Sequence, residues 1–484
     1  MSAPDTAAGA SAPPDQHPDR RWIALVVIAV AQLMVALDAT IVNIALPTAQ
    51  GALDFDDSDR QWVVTAYTLS FAGLLLLGGR TADHFGRRRA FLGGLVGFAA
   101  ASALAGAAQN FEMLIAGRAL QGAFAAVLAP TALSLIASTF TTPAERAKAF
   151  GVYGAVASSG GAVGLLLGGV LTEYFDWRWC LYVNVVIAGV AFIAGRAVLP
   201  GAPAQARVRV DILSGVLATA GLAAIVLGCS QAVPHGWGSI EVLGPLVAGL
   251  LLMAVFVLRQ ARSEAPLLPL HILADRSRAG AYLAVAISVV GIFGMFLMLT
   301  YHFQTVLDYS PIEAGLAFLP LSAAVSFSSY GIGARMLTRV APRTLMVPGL
   351  VVAAAGLALL SQLDPSSGYL TLILPAQVLV GLGLGCVFTP GISVATSGVD
   401  PRNAGIAAAV ANTSMQIGAS IGTAVLNTVA ITATSSYLAD HLGAPAIDGV
   451  VHGYAEATTL AAILLGCVAV ATVVLVRTPR PEPR

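Results

Sequence analysis

The chain has 484 residues, of which 57% are hydrophobic and 10% charged, and its 25 basic and 25 acidic side chains leave a formal net charge of zero. An ordinary soluble domain carries about 25% charged residues, so a water-soluble enzyme of this size is excluded, and zero net charge gives no electrostatic case for nucleic acid. Fifty glycines in so apolar a chain instead suit helices packed closely against one another and against lipid.

A helix needs about 20 apolar residues to cross a bilayer. Residues 1–21 make a polar N-terminal tail, and the next stretch, 22–47, is long enough to be kept as a span rather than cleaved as a signal. Further apolar stretches follow at 62–79, 90–108, 113–138, 151–171 and 181–199, then at 212–230 and 242–258. The last six are 280–303, 314–334, 345–363, 370–396, 404–432 and 458–476, with a short tail at 477–484. Fourteen transmembrane helices, an all-α integral membrane fold, are expected. Basic residues test the count, because cytoplasmic connections hold the Lys and Arg excess. With both termini cytoplasmic, all but Arg60, Arg118 and Arg178 of the 25 fall in the same alternate connections. One miscounted helix would invert every later loop and destroy that pattern.

The connection after the second span, Gly79 to Arg88, is echoed after the tenth at a constant offset: Arg80 pairs with Arg335, Asp83 with Thr338, Gly86 with Ala341 and Arg88 with Arg343. An internal repeat divides the chain into six-helix bundles at 22–199 and 280–476, with two central helices inserted at 212–258. Binding sites of transporters built from repeats lie where the repeats meet.

Lysine occurs once, at Lys148, outside any GxxxxGK[ST] loop, so no P-loop ATPase is present. The widely spaced Cys180, Cys229, Cys386 and Cys467 form neither a CxxC pair nor a metal cluster.

The residues that carry chemistry are the charges left inside the membrane. Asp38 lies about 6 Å beyond the midpoint of the first span and must face a cavity or a partner. Two readings stand: a proton-carrying site, or a structural tie to a neighbouring helix. Asn43, five residues on, is rotated to a different face. Arg118 is the basic residue expected inside a span; Asp38 is its natural partner, with Glu112 competing. If a proton neutralises Asp38, that pair weakens, which would link proton occupancy to helix arrangement. Gly79, Asp83, Gly86, Arg87 and Arg88 suggest a short folded loop that gates one conformation, beyond the orienting effect of the arginines. Gly160, Gly164, Gly168 and Gly169 lie on one helix face and predict close helix contact. Asn43, Tyr67, Gln121, His302, Asn412 and Gln416 are candidates for the lining of a substrate path, and His302 can itself carry a proton.

These residues resemble the major facilitator superfamily and, within it, the fourteen-helix drug:proton antiporters. The resemblance rests on Leu37 to Pro47 in the first helix, on Gly79-x-x-Ala82-Asp83-x-x-Gly86-Arg87-Arg88, and on Arg118-x-x-Gln121-Gly122. Trp177-Arg178-Trp179 with Asn184, and Ala314-Gly315 through Pro320, are also similar to that family. The resemblance implies two bundles alternating access, proton-driven export, a cytoplasmic gate at Asp83 and a proton role for Asp38 with Arg118. The helix-five pattern departs from the family, with Leu165 where Pro is usual; Thr81 and Val186 are further departures. The expected partners are a lipophilic small-molecule substrate, protons and the lipid bilayer of the plasma membrane, around a monomer with no cofactor and no metal. A dedicated exporter of one metabolite and a non-coupled facilitator or sensor are the alternatives.

Overall fold

The computed structural model describes residues 18–140, 142–199, 211–263, 266–337, 339–397, 399 and 404–477, and every regular element among them is helical. The first six long helices are α1 Pro18–Leu53, α2 Arg60–Phe85, α3 Arg87–Gly106, α4 Phe111–Thr139, α5 Pro143–Tyr174 and α6 Trp179–Val198. Next come α7 Ile212–Ser230 and α8 Ile240–Arg262. The last six are α9 Arg276–Val306, α10 Pro311–Met336, α11 Pro342–Leu360, α12 Tyr369–Thr396, α13 Ala404–Asp440 and α14 Ala446–Leu475. Among the described residues, 12 of these are long and apolar enough to cross a membrane; α2, with 26 residues, and α5, with 32, complete the long helices.

Each predicted apolar stretch overlaps one of these helices, but several helices run past it. α14 begins at Ala446, ahead of the expected 458, because Asp448, His452 and Glu456 continue the helix in a stretch too polar for a hydropathy ruler. Helix starts follow side-chain caps: Asn110 accepts from the Met113 amide at 2.9 Å to open α4, and Asp275 accepts from Arg278 at 2.9 Å to open α9. Ser310 and Glu313 form a capping box at the start of α10. Gly86, at φ 87°, separates α2 from α3 in a conformation a side chain would strain. α9, α10 and α12 contain π turns at His302–Val306, Phe327–Gly333 and Tyr369–Ile373.

Packing partnerships occur twice. α1 packs on α5 and α6, α2 on α4, and α3 on α4 and α6; α9 packs on α13 and α14, α10 on α12, and α11 on α12 and α14. The two sets meet through α2 on α13 and α5 on α10, contacts that exchange under the same correspondence, and through α1 on α9. α7 and α8 pair where Gly221 and Gly249 allow their backbones together, and α7 leans on α2 and α13. Apolar side chains face outward on α6 to α8, among them Val190, Ile193, Val216, Val247 and Leu250. Such a surface is suited to lipid and not to water.

Candidate functional site

Asp38 is fully buried, and Arg118 nearly so. Arg118 Nη1 donates to Asp38 Oδ2 at 2.6 Å, while Nε donates to the Val63 carbonyl oxygen at 3.0 Å. Of the two partners considered for Arg118, the fold therefore selects Asp38; Glu112 sits exposed at the start of α4. Gln121, one turn beyond Arg118, accepts from Nη1 at 2.9 Å and donates from Nε2 to Asp38 Oδ1 at 3.0 Å and to Ser102 Oγ at 2.7 Å. Asn184 Nδ2 donates to the same Oδ1 at 2.7 Å. The Tyr67 ring lies 4.6 Å below the guanidinium. The carboxylate thus receives three N–H donors from α4 and α6 within one buried cluster. A buried ion pair persists only when further hydrogen bonds satisfy it in this way.

α5 supplies the wall that positions Asp38. A Cβ on Gly160 would stand 2.5 Å from that of Ala36, and one on Gly168 would stand 2.8 Å from the Ile41 carbonyl oxygen. Gly164 lies in equally tight contact with Thr40 and Leu37. The glycine face therefore lets α5 pack directly against the turn carrying Asp38, whereas Gly169 instead meets Pro311 and Ile312 of α10. With Leu165 in place of Pro, α5 is uninterrupted, as expected from a residue that keeps its amide hydrogen.

The six path candidates are not gathered in one place. Tyr67 and Gln121 belong to the Asp38 cluster. Asn43 is buried and donates to the Ala39 and Thr40 carbonyl oxygens of its own helix, at 3.3 Å each. His302 is buried in the π turn ending α9, with neither ring nitrogen hydrogen-bonded. Asn412 and Gln416 sit half-buried one turn apart on α13. At the loop after α2, Gly79 and Asp83 lie within the helix and Arg87 and Arg88 open α3; Arg88 donates to the Arg196 carbonyl oxygen at 2.6 Å. The Asp83 side chain, and Thr338 in the echoed loop, lie outside the described residues.

Sequence reasoning assigned no contact to Ser102 or Asn184, since uncharged polar side chains are common in helices. It gave Arg60, two residues ahead of the predicted span, no contact either; in the fold Arg60 begins α2 and is buried against Asn427 and Tyr301.

Residues 28–423 match the Major Facilitator Superfamily. The chain belongs to that superfamily. Its members are membrane transporters, not enzymes. It is 52% identical to the puromycin resistance protein pur8 of Streptomyces alboniger over 466 residues, covering 95% of this chain and 92% of that one. Identity with the cephamycin export protein CmcT of Amycolatopsis lactamdurans is 40%, over 95% and 93% of the two chains. Among solved structures, a bacterial homologue of the human lysosomal transporter Spinster, in an inward-facing and unoccupied conformation, aligns with TM-score 0.70 over 96% of this chain and 100% of that one. At 15% identity it shares the fold.

Proposed function

We propose that the chain is a proton-coupled antiporter of the plasma membrane that exports hydrophobic or amphipathic small molecules, antibiotics among them, by alternating access. The observation that carries this reading is the buried Asp38–Arg118 pair, cross-braced by Gln121 and Asn184. A proton on Asp38 removes the charge that holds Arg118, so occupancy of one atom alters the tie between α1, α4 and α2. Antibiotic export is supported by the names of the two relatives, one a resistance protein and one an export protein. The duplicated packing supports two six-helix halves at 22–199 and 280–476 with 212–258 inserted and fourteen spans, and the placement of the basic residues supports cytoplasmic termini. Gly79, Asp83, Gly86, Arg87 and Arg88 then form the cytoplasmic gate. A dedicated exporter of a single antibiotic is the second reading, favoured by the same relatives' names.

The test is efflux of a lipophilic fluorescent cation from proteoliposomes, with and without an imposed pH gradient. Wild-type transport is expected to follow the gradient and Asp38→Asn to lose that dependence. Gradient-driven transport persisting in Asp38→Asn would remove Asp38 as the essential proton site. A panel of structurally unrelated antibiotics separates the two substrate readings, since a dedicated exporter accepts one scaffold only.

A further inference from the structure

The second buried cation has only a long, solvent-exposed carboxylate contact. Arg60 is 4% exposed, and the nearest acid, Asp57, is 3.8 Å away and itself 65% exposed. Its Nε donates instead to the neutral Asn427 Oδ1 on α13 at 2.9 Å, and its guanidinium lies 4.3 Å from the centre of the Tyr301 ring on α9. Asn427 Nδ2 returns a hydrogen bond to the Asp57 carbonyl oxygen at 3.3 Å, so one amide grips the turn between α1 and α2 at two points. Tyr301 donates its hydroxyl hydrogen to Gln50, and Gln304 Nε2 donates to the Ile44 carbonyl oxygen at 3.0 Å. Two turns along, Thr68 and Ser420 hydroxyls meet at 2.7 Å. The Asn427, Tyr301, Gln304 and Ser420 contacts join α1, α2 or the turn between them to α9 or α13, and all but the last lie at the end of the molecule remote from the Gly86 loop.

We infer that Arg60 and Asn427 form a clasp that holds this end of the transporter shut, and that α2 ties the clasp to the Asp38–Arg118 centre. The inference rests on the alternating-access reading, whose topology puts the clasp on the outer face. The chemistry of these groups suits a contact that must open and reclose. A guanidinium held by a neutral amide, the buried hydroxyl of Tyr454 on α14, an aromatic face and one long contact to an exposed carboxylate is bound less tightly than one paired closely with a buried carboxylate. The tie to the centre is the helix itself: Arg118 grips the Val63 carbonyl oxygen, one helical turn from Arg60, and stacks on Tyr67. A shift of Arg118 on release from Asp38 therefore pulls on the segment that carries the clasp.

Hydrogen–deuterium exchange of the full-length protein in lipid nanodiscs reads the clasp directly, at amides 45–65 and 420–435. Asn427→Ala is expected to speed exchange there roughly tenfold, as for loss of a hydrogen bond to a charged group. Arg60→Gln should do the same, and the double variant should add nothing further, a non-additivity that two independent structural defects would not show. Asn427→Asp exchanges the amide's bond to Asp57 for a buried ion pair with Arg60 and should slow exchange. Asp38→Asn should change exchange at these amides in the wild-type background and leave Asn427→Ala unaffected. Wild-type exchange rates in both Asn427→Ala and Asn427→Asp would overturn the clasp, and no response to Asp38→Asn would overturn its link to the centre. Failure of the transport reading is separate: wild-type efflux would then ignore the pH gradient, whatever the exchange data report.

Discussion

The Asp38 carboxylate has its two oxygens matched by Arg118, Gln121 and Asn184, and it has no exposed surface. Removing one member of a buried ion pair leaves the other charge uncompensated, at a cost of about 3–5 kcal/mol, whereas replacing both members by neutral groups can be close to neutral. Arg118→Leu should therefore lower the melting temperature of the purified protein markedly, and adding Asp38→Asn should restore most of the loss without restoring transport. Thermal unfolding in detergent, followed by intrinsic fluorescence, makes the comparison. A double variant as unstable as Arg118→Leu alone would show that the pair is not what ties α1 to α4. The pair itself was legible in the sequence because a charge inside a membrane helix is rare enough to demand a partner. Ser102 and Asn184 were not, since nothing in a neutral side chain says whether it bonds its own helix, as Asn43 does, or a carboxylate on another, as Asn184 does.

Among the helices, α5 shows most plainly how a residue pattern becomes packing. Gly160, Gly164 and Gly168 recur at four-residue spacing and bring α5 against the Ala36 to Ile41 turn of α1, whereas Gly161, one position round the helix, has only a Thr40 methyl at 3.9 Å from its would-be Cβ. Gly164→Ala forces that backbone contact apart and should destabilise by about 1–3 kcal/mol, as overpacking does, with a matching loss of transport. Gly161→Ala should be silent in both. Thermal unfolding and efflux on the two variants decide the point, and equal behaviour would remove the glycine face as the determinant of how α5 seats α1. The glycine stripe was legible because its spacing is a helical period. The π turns in α9, α10 and α12 were not, because the segments that adopt them carry no shared breaker: Phe327–Gly333 holds glycines, His302–Val306 and Tyr369–Ile373 hold neither Gly nor Pro.

At the scale of the whole molecule, charge is the scarce resource, and its distribution bears on what can be carried. Fifty charged side chains serve 484 residues, and among the described residues the buried ones are Asp38, Arg60 and Arg118. The low charge count excluded a soluble protein from the first line, and the echo of Arg80 in Arg335 hinted at the duplication that the packing of α1–α6 and α9–α14 repeats. The role of Arg60 was hidden, because beside Asp54, Asp56, Asp57 and Asp59 it reads as one more solvated loop charge; only the fold brings Asn427, distant in sequence, to its side. The resulting balance is one buried acid against two buried bases, so the interior has a single carboxylate to offer a cationic substrate, and that one is already held by Arg118. A dication brought into this interior would keep at least one charge uncompensated, at several kcal/mol in a medium without water. Neutral and singly charged lipophilic compounds should therefore be exported, and a dication of similar size and apolar area should move at the background rate. Counterflow in proteoliposomes with a matched monocation and dication measures this. Export of the dication at a rate comparable to that of the monocation would mean that a second carboxylate reaches the substrate path during the cycle, and the charge inventory of this conformation would then not govern selection.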